Sequence, residues 1–266
     1  MKILSILFIL LLLSFHSLSK DKTVSEYRYS LSGFGFSQQK LTFLSPVFYN
    51  GYSLVSTNGK VQTTKDRINS FVTEFNMDYN SNKNNSYFYS MGFDLTYNKY
   101  YLLTIKDYPK SFPRLFIGWG YWLDSEIYLK PSNTNNPLYY NFNNLFCLSL
   151  YCEKKYQKVV ISDEFNYPLT GLLSGSEYSS SLPYFFNEKD ASFFQAFDVG
   201  CFWKNLQVSN KLNVDYKMKT EKGLRTIRFQ YEIHATLLKL NNNLKHNVFH
   251  VFKIGYLFNT VDYEHK

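Results

Sequence analysis

Residues 87–98 read Tyr87-Phe88-Tyr89-Ser90-Met91-Gly92-Phe93-Asp94-Leu95-Thr96-Tyr97-Asn98. A strand sends successive side chains to opposite faces. Tyr87, Tyr89, Met91, Phe93, Leu95 and Tyr97 therefore form one oily face, and Ser90, Gly92, Asp94, Thr96 and Asn98 share the other with Phe88. The alternation recurs more strictly at 227–237, where Ile227, Phe229, Tyr231, Ile233, Ala235 and Leu237 oppose Arg228, Gln230, Glu232, His234 and Thr236. Leu206, Val208, Leu212, Val214 and Tyr216 stand likewise against Gln207, Ser209, Lys211, Asn213 and Asp215. Phe71, Phe75, Met77 and Tyr79 stand against Glu74, Asn76 and Asp78. In the long segment 112–129, Leu115, Ile117, Trp119, Tyr121, Leu123, Ile127 and Leu129 point one way, while Arg114, Gly118, Gly120, Asp124, Glu126 and the following Lys130 point the other.

Charges repeated on one face only do not suit the dry core of a sandwich. They suit a wall with lipid on one side and a polar lumen on the other. Segments long enough to cross a membrane as tilted strands lie near 26–36, 67–79, 86–104, 112–129, 138–152, 157–170, 192–203, 205–217, 223–238 and 246–258. The expected fold is all-β, an antiparallel transmembrane β-barrel of about ten strands, within a range of about 8 to 12. Phe, Trp and Tyr make up 20% of the chain, an excess that lipid-facing walls and aromatic girdles explain.

The N-terminus carries Lys2, an apolar run from Ile3 to Leu13, and small residues at Ser17 and Ser19. This is the layout of a signal peptide over 1–19, leaving 20–266 as a single barrel domain. The run is too short for a spanning helix, which needs about 20 apolar residues. Removing Lys2 would lower the formal charge from +8 to +7. The lysines are scattered and no basic helix appears, so the charge reads as loop and rim solvation beside lipid headgroups, with no nucleic-acid partner. Cys147 and Cys201 fall on the lipid side in this phasing and Cys152 near a strand end, so neither a disulfide framework nor a metal site is expected.

Short connections are expected at Asn80 to Asn85, at Asn241 to Asn243 and at Lys204 and Asn205, because Asn tolerates left-handed backbone. Longer links are expected at 37–66, Pro131 to Pro137 and Leu172 to Ala191, with short turns on one rim and long loops on the other. Glycines inside strands, such as Gly33, Gly92 and Gly120, are expected to make room for large neighbours.

The lumen-facing polar candidates are Glu74, Asp78, Asp94, Asp124, Glu126, Asp198, Asp215, Arg228, Glu232, His234 and Lys253. Charges inside a narrow barrel must be paired or hydrated, so an internal ion-pair network that plugs the lumen is the first expectation, and a water-filled path for an ion or small solute the second. Catalysis needs a nucleophile, a base and an orienter. His234 shares a face with Glu232, but no serine is placed beside it by the sequence, so no catalytic residue, metal or cofactor is assigned.

The alternating strands and the final segment, with Phe252, Ile254, Tyr256 and Phe258, resemble bacterial outer-membrane β-barrel proteins as a class. The resemblance implies location in the bacterial outer membrane, with outer-membrane lipid and the barrel-assembly machinery as partners. Proteins of that class usually end in an aromatic residue, whereas here Thr260 to Lys266 follow Phe258. The role expected is structural, adhesive or that of a narrow channel. The alternatives are an outer-membrane barrel enzyme acting on lipid and a secreted β-sandwich that binds carbohydrate.

Overall fold

The computed structural model describes residues 25–42, 44–104, 112–132, 138–175, 198–201, 205–220, 223–240 and 243–262. The expected leader lies outside them, as does most of the loop expected at Leu172 to Ala191. The described chain forms β1 (Ser25–Leu41), β2 (Tyr49–Thr63), β3 (Arg67–Ser81), β4 (Tyr87–Leu102), β5 (Arg114–Leu129), β6 (Leu138–Lys155), β7 (Val159–Gly175), β8 (Asp198–Cys201), β9 (Asn205–Thr220), β10 (Gly223–Leu240) and β11 (Asn243–Asp262). Every neighbour pairs antiparallel, and β1 closes on β11 from Ser25↔Asp262 to Leu41↔Lys245. The sheet therefore has no free long edge.

β8 and β9 are two pieces of one stave. Both pair with β7, β8 at Thr170 to Leu173 and β9 at Val159 to Asn166. The hairpin expected at Lys204 and Asn205 is therefore not made, since hairpin strands would pair with each other. Pro168 sits where the pairing of β7 is interrupted, and Pro has no N–H to give to a ladder. With β8 and β9 counted together, the described residues form a closed ten-stranded barrel.

The expected link at 37–66 is also corrected, because it contains the upper end of β1 and the whole of β2. β2 escaped the period-2 reading because its inner face is small: Gly51, Ser53, Val55, Thr57 and Gly59. Space there is filled from next door, since a Cβ on Gly59 would collide with the Tyr29 ring and one on Gly51 with the Asn80 amide. One strand missed and one split leave the expected count intact.

The rim with Ser25 and Asp262 is here the lower one. β2, β4, β6 and β9 end on it and β1, β3, β5, β7 and β10 end on the upper rim, so the 11 residues between β4 and β5 join lower ends while only three separate β2 from β3 and β6 from β7 there. Short turns and long loops thus do not sort cleanly by rim, contrary to expectation. The turn after β3 does follow asparagine chemistry: Asn85 takes φ 57°, and the Asn82 side-chain oxygen accepts the N–H groups of Asn84 (2.9 Å) and Ser86 (3.1 Å).

Strands of about 16 residues tilted by roughly 40° give a wall roughly 40 Å tall, ample for an apolar band of about 25 Å. That wall exposes Phe71, Phe75, Met77, Met91, Phe93, Ile127, Leu150, Phe229, Phe252 and Ile254, each at about 40–57%. An apolar surface of this extent has no place in water.

Candidate functional site

The interior is layered. Near the lower rim Tyr29, Leu31, Val61, Ile68, Val72, Tyr100 and Phe116 form one buried apolar cluster. Near the upper rim Leu41, Leu44, Tyr49, Phe88, Tyr128 and Tyr139 form another. The Lys130 ammonium donates to the Leu44 carbonyl at 2.8 Å and lies over the Tyr49 ring, fixing the 42–48 link to the barrel mouth. A third cluster joins Trp122, Leu145, Cys147, Leu173 and Leu238. Cys147 is thus inside the barrel, not on the lipid side, because Leu145, Cys147 and Ser149 of β6 share the inner phase. Aromatic residues in the lumen were not anticipated. Phe88, the one apolar member of the wet face of 87–98, was the available signal.

Between these layers lies a belt of charge. β11 sends two lysines across the lumen. Lys253 bonds to Glu232 of β10 (2.7 Å) and to Glu74 of β3, and Lys245 bonds to Glu126 of β5 (2.6 Å). Glu74 also accepts the Thr57 hydroxyl (2.8 Å), and Glu126 the Tyr128 hydroxyl (2.5 Å). Lys253 can cross because its ladder partner is Gly33, where a Cβ would lie 2.6 Å from the lysine Cγ. Lower down, Arg228 grips Asp215 through two bonds of 2.7 and 2.8 Å and lies over the Tyr29 ring at 4.7 Å.

Other carboxylates are held by neutral donors. Asp78 accepts from Ser90 (2.8 Å), Asp94 from the Trp122 indole (3.0 Å) and Asp124 from Asn143 (2.7 Å). Glu164, which sequence reasoning did not single out, accepts from Asn98 and Asn166, each at 3.0 Å. Glu74, Asp94 and Asp124 are direct ladder partners across β3, β4 and β5, so three carboxylates stand abreast.

The belt thus unites ten of the eleven lumen candidates: Glu74, Asp78, Asp94, Asp124, Glu126, Asp215, Arg228, Glu232, His234 and Lys253. The eleventh, Asp198, sits apart on β8 opposite Leu173 near the upper rim, partly exposed. His234 packs at a tilt against Trp122 (4.8 Å), and its Nε2 meets Gln207 (3.1 Å) and Thr236 (3.0 Å). Ser209 donates to Glu232 instead, at 3.3 Å, so the pairs seen at His234 are not those of a serine nucleophile with its base. Among the described residues no three His, Cys, Asp or Glu side chains are grouped so as to hold a metal ion.

Cavities along the belt measure about 20, 30 and 20 Å³. Each has room for little more than a water molecule. The arrangement can tie the two sides of the barrel together, and these three cavities are too small for a solute.

No protein-family model matches this sequence, and a search of curated proteins finds no relative by sequence. Solved structures are similar in fold. The translocator domain of the autotransporter NalP from Neisseria meningitidis is 9% identical, with 96% of this chain and 95% of that one covered and a TM-score of 0.45. The outer-membrane protease OmpT from Escherichia coli is 9% identical over 91% of this chain and 99% of that one, with a TM-score of 0.47. The attachment invasion locus protein Ail of Yersinia pestis is 8% identical over 88% and 99%, at 0.26. The class itself is read from the barrel. β1 closing on β11 removes the β-sandwich alternative, and an even-numbered antiparallel barrel with an apolar outer wall and a polar interior crosses a membrane with strands. The chain is a closed, membrane-spanning antiparallel β-barrel, the architecture of outer-membrane barrel proteins.

Proposed function

We propose that this protein is a closed-lumen barrel that acts as a rigid membrane scaffold and works through its upper rim, in surface attachment or binding, without conducting solutes. The observation that supports this most is the pair of cross-lumen ties, Lys253 to Glu74 and Lys245 to Glu126. A pore would need that space, and opening it would leave buried charges without partners.

Most of the longer connections join strand ends at the upper rim, the longest of them between β7 and β8. In barrels of this type the longer loops are extracellular, so the upper rim faces outward in this reading and both terminal strands end on the periplasmic side. Membrane lipid and the assembly machinery are then its general partners. The test is ion conductance of the refolded, β-rich protein in a planar bilayer. A silent bilayer is expected, and discrete conductance steps would overturn the reading in favour of a narrow channel.

A further inference from the structure

The charges around one part of the lumen do not balance. A cavity of about 30 Å³ lies between Glu74, Asp94 and Asp124 of β3, β4 and β5 and Glu232, Lys245 and Asn247 of β10 and β11. Glu74 and Glu232 are answered by Lys253 and Lys211, and Glu126 by Lys245. Asp78, Asp94 and Asp124 line the same cavity and have no cation within ion-pair distance among the described residues. Asp94 and Asp124 are direct ladder partners, so their Cα atoms stand about 5 Å apart and one ion can meet both. One oxygen of each accepts a hydrogen bond, from the Trp122 indole and the Asn143 amide, and the other accepts none among the described residues. Buried carboxylates without a counter-charge are costly, and a cation from outside the chain lowers that cost.

A second observation does not involve the carboxylates. The side-chain oxygens of Asn76 and Asn247, which also line this cavity, are buried and accept no hydrogen bond among the described residues. Asn247 is 8% exposed. Asn76 lies across Gly92, where a Cβ would collide with its oxygen. Buried acceptors without a donor are rare, and two of them beside uncompensated carboxylates call for a positive ligand. The donor set is oxygen alone, the chemistry of a hard cation. No three acidic side chains converge enough to hold a metal by themselves, so the amide oxygens are needed to complete the set. Calcium takes carboxylate and asparagine oxygens in flexible geometry, whereas magnesium keeps several waters, for which a cavity of about 30 Å³ has no room.

We propose that Asp94 and Asp124, with the side-chain oxygens of Asn76 and Asn247, bind one divalent cation of calcium's size inside the barrel. The site goes beyond the closed-lumen reading and does not depend on it, since a cation can be held in a silent barrel or in a conducting one.

The test uses the full chain refolded in a non-ionic detergent, which offers no anionic headgroup, in calcium or in chelator. Equilibrium dialysis of the folded protein should find about one calcium ion per barrel, with a dissociation constant of about 10⁻⁴ to 10⁻³ M, and an equal concentration of magnesium should not displace it. Calcium at about ten times that constant should raise the folding equilibrium constant about tenfold in urea unfolding. Asn247→Leu leaves every charge in place and should weaken binding about tenfold. Asp94→Asn with Asp124→Asn should abolish it, and should be less stable than the wild type in calcium but not in chelator. Asp163→Asn, at an outward position of β7 bonded to Asn210, should bind as the wild type does. Heat-dependent gel mobility checks that each variant is folded. A folded wild type that binds no calcium, or a double variant that binds as well, overturns the site. Unchanged binding by Asn247→Leu overturns the mixed ligand set, and equal competition by magnesium overturns the choice of ion. None of these outcomes bears on conductance, so the closed-lumen reading stands or falls separately.

Discussion

The carboxylates of the lumen fall into two groups that differ in how the barrel satisfies them. Glu74, Glu126, Asp215 and Glu232 each meet a lysine or arginine, and all four cations come from β10 and β11 or, with Lys211 near Glu232, from β9. Among the described residues Asp78, Asp94, Asp124 and Glu164 meet hydroxyl, indole or amide donors and no cation within ion-pair distance. Both groups are hydrogen-bonded, and each reaches across the lumen once or more, Lys253 to Glu74 and Lys245 to Glu126 in the first and Asn98 to Glu164 in the second, but only the first meets its charge with an opposite charge. The first group should therefore carry stability, and the second should cost some of it.

The largest effect is expected at Lys253. Its ammonium is fully buried and serves Glu74 and Glu232 together. Lys253→Met keeps the stem volume beside Gly33 but takes the cation from Glu74 and leaves Glu232 with Lys211 alone, a change worth about 3–5 kcal/mol. Urea unfolding of the protein refolded in detergent or vesicles checks this. A loss under about 1 kcal/mol would mean that the tie contributes little and that the apolar layers alone hold the lumen shut.

A substitution on the lipid wall sharpens the contrast between the two faces of one strand. Phe93 faces outward between Met91 and Leu95, while its neighbour Asp94 faces the lumen. Phe93→Lys should destabilise the barrel in lipid vesicles by about 2–4 kcal/mol if the residue sits near the bilayer midplane. A loss under about 1 kcal/mol in the same urea measurement would place it at an interface instead.

These two faces were legible in the sequence because lipid enforces a strict rule on one of them. In β3, β4, β5, β9 and β10 the outward residues are mostly apolar, broken in mid-strand by Thr73, Ser125 and Asn210, and the inward charges follow by parity. The rule fails where side chains of one strand occupy the space of another. β2 gave Tyr29 and Asn80 room by keeping glycine at 59 and 51, which diluted its own signal. Cys147 lies on a strand with apolar residues on both faces, so parity alone misplaced it. Which lumen charges pair was not legible at all. Lys253 and Glu74 are 179 residues apart, and their meeting depends on closure of β1 against β11 and on the tilt of both walls.

The smallest effect has the opposite sign and is the sharpest test of the comparison. Asp94 stands between Glu74 and Asp124 in adjacent ladder positions, and its one hydrogen bond among the described residues comes from Trp122. Asp94→Asn keeps an oxygen for the indole N–H, keeps the shape, and places an amide donor where two carboxylates can accept it. Like charges directly opposite in a sheet are destabilising, so their removal should raise stability by about 1 kcal/mol. The same urea transition, compared with Asp124→Asn as a second member of the row, gives the answer. If either variant is instead less stable, that carboxylate has a cationic partner in the folded barrel, and the division between charge-paired and merely satisfied carboxylates no longer runs between Glu74 and its neighbours.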